Sequence, residues 1–264
     1  MGSTARILGA WLARAALLFL ITPTIVFAEG TLIAAASDVK FALEQIAIAY
    51  KGDTGSEIKL VFGSSGTLAT QIRNGAPFQV FLSADEDYVL QLSKEGLTRD
   101  GGTLYGIGRI VLMAPNNSSL PVDGELKGLK AMLESGKVKR FAIANPAHAP
   151  YGRRAQEALS HAGLWDLIAP KLVLGENVSQ AAQFASDGSA DGGIIALSLA
   201  QSPQMQGMGT YAPIPEQWHT PLRQRMVLLR NADSAAENFY KYLQLSKARA
   251  IMRQYGFSLP EELH

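Results

Sequence analysis

Four stretches of the chain share one arrangement. An apolar run breaks into a turn of glycine, serine or another small polar residue, and helical spacing resumes at once. Ser37 follows 31-TLIAAA-36, 63-GSSG-66 follows 58-IKLVF-62, 146-PAHAPYG-152 follows 141-FAIAN-145, and 176-ENV-178 follows 171-KLVLG-175. The chemistry such turns suit is anion binding. The first N–H groups of a helix have no partner within it, the helix dipole is positive there, and a serine hydroxyl can donate to the same guest. Ser37, Ser65 and Asn177 read equally as ordinary N-caps accepting from their own helices; residue types alone leave both readings open.

Apart from Lys40, one helical turn in, the turns at Ser37, Ser65 and Val178 contain no lysine, arginine or histidine. An anion there is expected to be held by neutral donors in a mostly buried pocket, where uncharged hydrogen bonds are strong and no counter-charge need be desolvated. The exception is 153-RR-154, just past Tyr151. A guanidinium turned inward would favour a carboxylate or phosphate held bidentately, but the pair is expected on the solvated face of its helix. Asp38 raises a similar choice. Beside an anion its carboxylate would repel a deprotonated guest or accept the proton of a hydrogen phosphate; at the first turn of a helix it is expected to point outward.

These turns need elements to position them. Runs rich in Val, Ile and Leu recur at 31–36, 58–62, 79–84, 109–114, 141–145, 171–175, 193–197 and 225–230, with helical patterns between many of them, such as Val39, Ala42, Leu43, Ile46, Ala47 and Tyr50. The alternation predicts an α/β protein with mostly parallel sheets covered on both faces. In such sheets ligands bind at the carboxyl ends of the strands, where the four turns lie. The segment 235–257 reads as two consecutive helices, the second closed by Gly256. Loop material at 115–124 and 202–217 is scattered, so one domain or two lobes remain open.

The opening 1-MGSTARILGAWLARAALLFLITPTIVFA-28 carries only Arg6 and Arg14 as charges before an apolar run, and is expected to be a signal peptide cut after Ala28. A membrane anchor is the alternative, but Pro23 and two threonines interrupt a run already shorter than the roughly 20 residues a span needs. Cleavage would leave 264 − 28 = 236 residues with 22 basic and 23 acidic side chains, a net charge of −1. That balance offers nothing to nucleic acid or an anionic membrane. An exported chain without cysteine must rest on its own core, as large periplasmic-type domains do. The sequence has no H-E-x-x-H, no clustered histidine and carboxylate pattern and no G-K-[ST] ending to its glycine-rich turn, so neither a metal centre nor a P-loop is expected. A serine hydrolase reading of 63-GSSG-66 falls one residue short of the G-x-S-x-G elbow.

Together, 34-AAASDVKFAL-43, 62-FGSSGTLATQIRNGAP-77, 80-VFLSAD-85, 144-ANPAHAPYGRRAQEAL-159, 175-GENV-178, 239-FYKYL-243 and 252-MRQYGF-257 resemble the periplasmic molybdate-binding proteins of ABC transporters, over nearly all of residues 29 to 264. The resemblance implies a two-lobed periplasmic-binding-protein fold of type II. Lobe one would comprise 29–108 and 231–264, and lobe two 109–230. It implies an extracytoplasmic, periplasmic solute-binding protein, expected to be a monomer, that captures molybdate or tungstate and delivers it to a membrane permease without cofactor or catalysis. By the same resemblance Ser37 and Ser65 meet the oxyanion with hydroxyl donors, and Tyr151 and Val178 with backbone N–H groups; the protein contacts oxyanion oxygens and never the metal. Where many members carry a tyrosine this chain has Ala196, and the Tyr151 hydroxyl is expected to replace it. Another oxyanion, or a small organic acid held by Arg153 or Arg154, is the alternative guest. A regulator's effector-sensing domain fits poorly with an export signal and no DNA-binding segment.

Overall fold

The computed structural model describes residues 30–260. The expected signal peptide lies outside the described residues. Ten strands and ten α-helices alternate through most of the described chain. They are β1 (Leu32–Ala36), α1 (Lys40–Thr54), β2 (Lys59–Gly63), α2 (Ser65–Arg73), β3 (Val80–Ser83), α3 (Glu86–Lys94), β4 (Thr103–Gly108), β5 (Ile110–Pro115), α4 (Lys127–Glu134), β6 (Phe141–Ala144), α5 (Pro150–His161), α6 (Trp165–Ile168), β7 (Leu172–Gly175), α7 (Val178–Ser186), β8 (Gly192–Ala196), α8 (Leu197–Ala200), β9 (Gly209–Pro213), β10 (Leu222–Leu228), α9 (Ser234–Tyr242) and α10 (Ser246–Gln254). Among the described residues no helix is long and apolar enough to cross a membrane.

The strands form two five-stranded sheets, ordered β2-β1-β3-β10-β4 and β7-β6-β8-β5-β9. In the first, β1 pairs in parallel with β2 and β3 while β10 runs antiparallel between β3 and β4. In the second, β6 pairs in parallel with β7 and β8 while β5 runs antiparallel between β8 and β9. Each reversed strand is the one the chain enters on crossing from the other sheet, through Arg109 into β5 and through residues 214–221 into β10.

That second crossing corrects the expected lobe boundary. The run 225–230 falls within the expected lobe two, but Arg225 to Leu228 pair with β3 and Arg225 and Met226 also with β4, so β10 belongs to the first sheet. Two strands went unread in the sequence. β4 is interrupted by Gly106, and β9 is a short, largely exposed edge strand ending in proline, within a stretch that reads as loop.

Side-chain alternation explains how the first sheet is covered. Ile33, Ala35, Val80 and Leu82 face a core with Leu43 and Ile46 of α1 and Phe239 of α9, whereas Ala34 and Phe81 face Leu68 of α2 and Val89 and Leu92 of α3. Helices on both faces leave the carboxyl ends of β1, β2, β6 and β7 as open turns.

Candidate functional site

The four turns converge. Ser37, Ser65, Tyr151 and Val178 line one small cavity between the sheets, together with Asp38 and Ala149. Each arrives by the same local logic, a parallel strand ending in a turn that starts a helix, and at each helix the capping bonds leave particular amides over. In α2, Ser64 is the N-cap and its Oγ accepts from Thr67 N; Gly66 N donates to His148 O and Leu68 N to Ser64 O, leaving the Ser65 amide. In α7, Asn177 Oδ1 accepts from Ser179 and Gln180, and Ala181 N donates to Asn177 O, leaving the Val178 amide. In α5, Pro150 has no N–H and Arg153 N is bonded to Ala149 O, leaving Tyr151 and Gly152. Asn177 is therefore a cap, as one reading allowed, whereas Ser37 and Ser65 are not.

The two serines are placed differently. Ser65 is fully buried and its Oγ accepts from Ala84 N at 2.9 Å. Ser37 Oγ accepts from Ser179 N of the other lobe at 3.2 Å, and Ser179 Oγ donates back to Ser37 O at 2.8 Å. Each hydroxyl is thus fixed as an acceptor, and its hydrogen remains available to a guest. Ser64, Ser83 and Ser198, by contrast, donate to Thr67, Asp85 and Asp38 within the protein.

Asp38 does not point outward. It is 1% exposed, and its Oδ2 accepts from the Tyr151 hydroxyl at 3.0 Å and from Gln224 Nε2 at 2.6 Å, while Gln224 Nε2 also reaches the Tyr151 oxygen at 3.1 Å. The turn Ser37–Val39 is a 3₁₀ turn before α1, which carries the carboxyl under the lobe and away from solvent. Burial raises its pKa to about 6, against the lowering influence of Gln224, Tyr151 and the Asp38 and Val39 amides. Burial likewise holds the Tyr151 and Tyr105 phenols well above their usual range, with the Asp38 charge adding to it. The Tyr151 hydroxyl, expected to donate to the anion in place of the tyrosine absent at Ala196, gives its hydrogen to Asp38.

Arg154 is also not on a solvated face, whereas Arg153 is half-buried. Arg154 is 8% exposed and pairs at 3.2 Å with Asp85, the N-cap of α3 in the other lobe, and with Glu157. Arg153 donates to the Tyr88 hydroxyl and lies 5.2 Å from that ring's centroid. Neither lines the cavity. Ser64 Oγ lies 2.9 Å from His148 Nδ1, and His148 Nε2 lies 3.6 Å from Glu176. Ser64 spends its hydrogen on Thr67 Oγ1, which donates to Glu176, so this chain of bonds fastens one lobe to the other and activates no nucleophile.

Gln224 and Ser179 were missed in the sequence. Gln224 had a signal, because in 222-LRQRM-226 it occupies the parity of buried Leu222 and Met226 and is itself fully buried. Ser179 had none, being one of several polar residues in a helix start.

The model of the family described as bacterial extracellular solute-binding protein matches residues 31–258. Named relatives include the molybdate-binding protein ModA of Azotobacter vinelandii, 34% identical over 86% of this chain and 89% of that protein, and that of Rhodobacter capsulatus, 35% identical over 87% and 89%. The solved periplasmic molybdate-binding protein of Azotobacter vinelandii superposes with a TM-score of 0.80 at 31% identity, covering 87% of this chain and 99% of that one. With its paired five-stranded sheets, exchanged strands and cavity between them, the chain belongs to the family of bacterial extracellular solute-binding proteins.

Proposed function

We propose that the protein captures molybdate, and tungstate with it, between its two lobes in the periplasm and delivers the ion to an ABC permease, performing no reaction on it. The observation that carries this is the pair of buried hydroxyls, Ser37 and Ser65, each fixed as an acceptor with its hydrogen unspent, lining one cavity with Tyr151 and Val178, whose amides the helices leave over. Donors from both lobes around a small space suit a tetrahedral dianion, which accepts on every oxygen and closes the lobes by bridging them. The named relatives and the solved structure at 31% identity support molybdate as the guest. An organic acid held by arginine is disfavoured because Arg153 and Arg154 are engaged with Tyr88, Asp85 and Glu157.

Calorimetric titration of the purified protein with molybdate, tungstate, sulfate and phosphate tests it. Tight binding of the first two is expected, with Ser65→Ala weakening it roughly tenfold or more, the loss of one hydrogen bond to a charged group. Preference for sulfate or phosphate would overturn the choice of guest.

A further inference from the structure

We propose that Asp38 takes up a proton from solvent when the oxyanion enters, and that its protonated carboxyl then donates to an anion oxygen, so that binding is linked to one proton. The inference rests on the proposed function, since it concerns the same cavity. Asp38 lines that cavity beside Ser37, Ser65 and Tyr151. Its two oxygens differ. Oδ2 already accepts from Tyr151 and Gln224, whereas Oδ1 is buried with no partner at hydrogen-bonding geometry. Oδ1 is therefore the oxygen free to take a proton, and an anion oxygen in the cavity would be its acceptor.

The groups facing Asp38 do not neutralise it. They are Tyr151 from α5, Tyr105 from β4, the uncharged Gln224 from β10 and the uncharged amides of Asp38 and Val39, while Ser198 of α8 bonds its backbone carbonyl. Nor can Gln224 turn over to relieve it, because its oxygen would then face Oδ2. The arrangement is also sterically kept. A methyl at Gly108, the last residue before the crossing into β5, would lie 2.3 Å from the Tyr151 hydroxyl and 2.6 Å from Gln224 Nε2. A carboxylate and a dianion in one buried site repel strongly, and the cheapest relief is one proton.

Burial holds Asp38 at about 6, so above that pH it is ionised before the anion arrives, and the arriving charge raises its pKa further. Uptake is therefore expected above about pH 6. There affinity should fall by up to about tenfold per pH unit, levelling off below pH 6 where the proton is already in place.

The experiment is titration of the protein with molybdate at several values between about pH 6 and 8, in two buffers of different ionisation enthalpy, repeated on Asp38→Asn. Expected is uptake approaching one proton per ion near pH 8, and no uptake with a flat pH profile in the variant. Should the variant not fold, the wild-type proton count decides by itself. Molybdate binding without proton uptake, or with equal uptake in Asp38→Asn, would overturn this inference and leave the proposed function standing. Phosphate bound in preference to molybdate without uptake would place the proton on the guest and overturn both, as would no binding of molybdate.

Discussion

The two sheets are wired alike, β2-β1-β3-β10-β4 and β7-β6-β8-β5-β9, but they bring different chemistry to the cavity between them. The first lobe contributes mainly side chains, the hydroxyls of Ser37 and Ser65 and the acid of Asp38, with the Ser65 amide beside them. The second contributes the leftover amides of Tyr151 and Val178 and a phenol turned toward Asp38. A side-chain donor can be deleted one residue at a time. A backbone amide is lost only by moving its helix, so the second lobe's share depends on how closely α5 and α7 sit on their strands.

Two glycines separate these dependences. A methyl at Gly152 would lie 2.2 Å from Ala144 O and 2.9 Å from the Asn145 carbonyl carbon, within the second lobe. Backbone cannot yield as a side-chain tip can, so Gly152→Ala should cost about 3 kcal/mol or more in urea unfolding and abolish binding. A methyl at Gly66 would lie 2.6 Å from His148 O, across the cleft, and 2.8 Å from the Tyr88 hydroxyl, a side-chain tip of its own lobe. Gly66→Ala should leave the unliganded stability near or slightly above wild type, because alanine favours helix, yet weaken molybdate binding at least tenfold by holding the lobes apart. Equal loss of stability in both variants would mean that the interlobe contact is part of the fold and not of closure.

Asp38 gives the next effect in size. Its pKa is raised by burial from 3.8 to about 6. Between those values the native state holds a proton that the unfolded chain has released, so this group's contribution to stability falls as pH rises, and the full penalty is present above about pH 6. Asparagine has no charge to bury. Asp38→Asn should therefore match or trail wild type near pH 4 and exceed it by about 2–3 kcal/mol near pH 7.5 in unliganded unfolding, from roughly two pK units at 1.36 kcal/mol each. No change in the difference with pH would show that the carboxyl is neutral or solvated in solution.

How much of this the sequence carried depended on range. The eight apolar runs are all strands and Gly256 closes α10 with φ of 80°, because each is decided by residues close together in the chain; the four turns meet because open α/β sheets gather the carboxyl ends of their strands. What escaped were decisions made across the fold. Asp38 turns inward because Gln224 and Tyr151, 186 and 113 residues away, offer donors there. Arg154 is buried because Asp85, 69 residues away, receives it. The lobe boundary fell at the wrong place because an apolar strand does not announce which sheet it will join.

The smallest effect lies at the rim, where the lobes touch again. Ser64, His148, Thr67 and Glu176 form a bonded chain across the cleft, but the Glu176 side chain is 60% exposed and that of His148 25%. Exposed pairs of this kind contribute about 0–1 kcal/mol, because water competes for the same donors and long side chains lose freedom. Glu176→Gln keeps an acceptor for Thr67 and removes only the charge, so it should weaken molybdate binding by about fivefold at most, chiefly through faster release. The difference from wild type should shrink as salt is raised, whereas the effect of Asp38→Asn, being buried, should not. If Glu176→Gln weakened binding as much as Ser65→Ala, closure would be governed at the rim, and the division of labour between the lobes would have to be redrawn around His148.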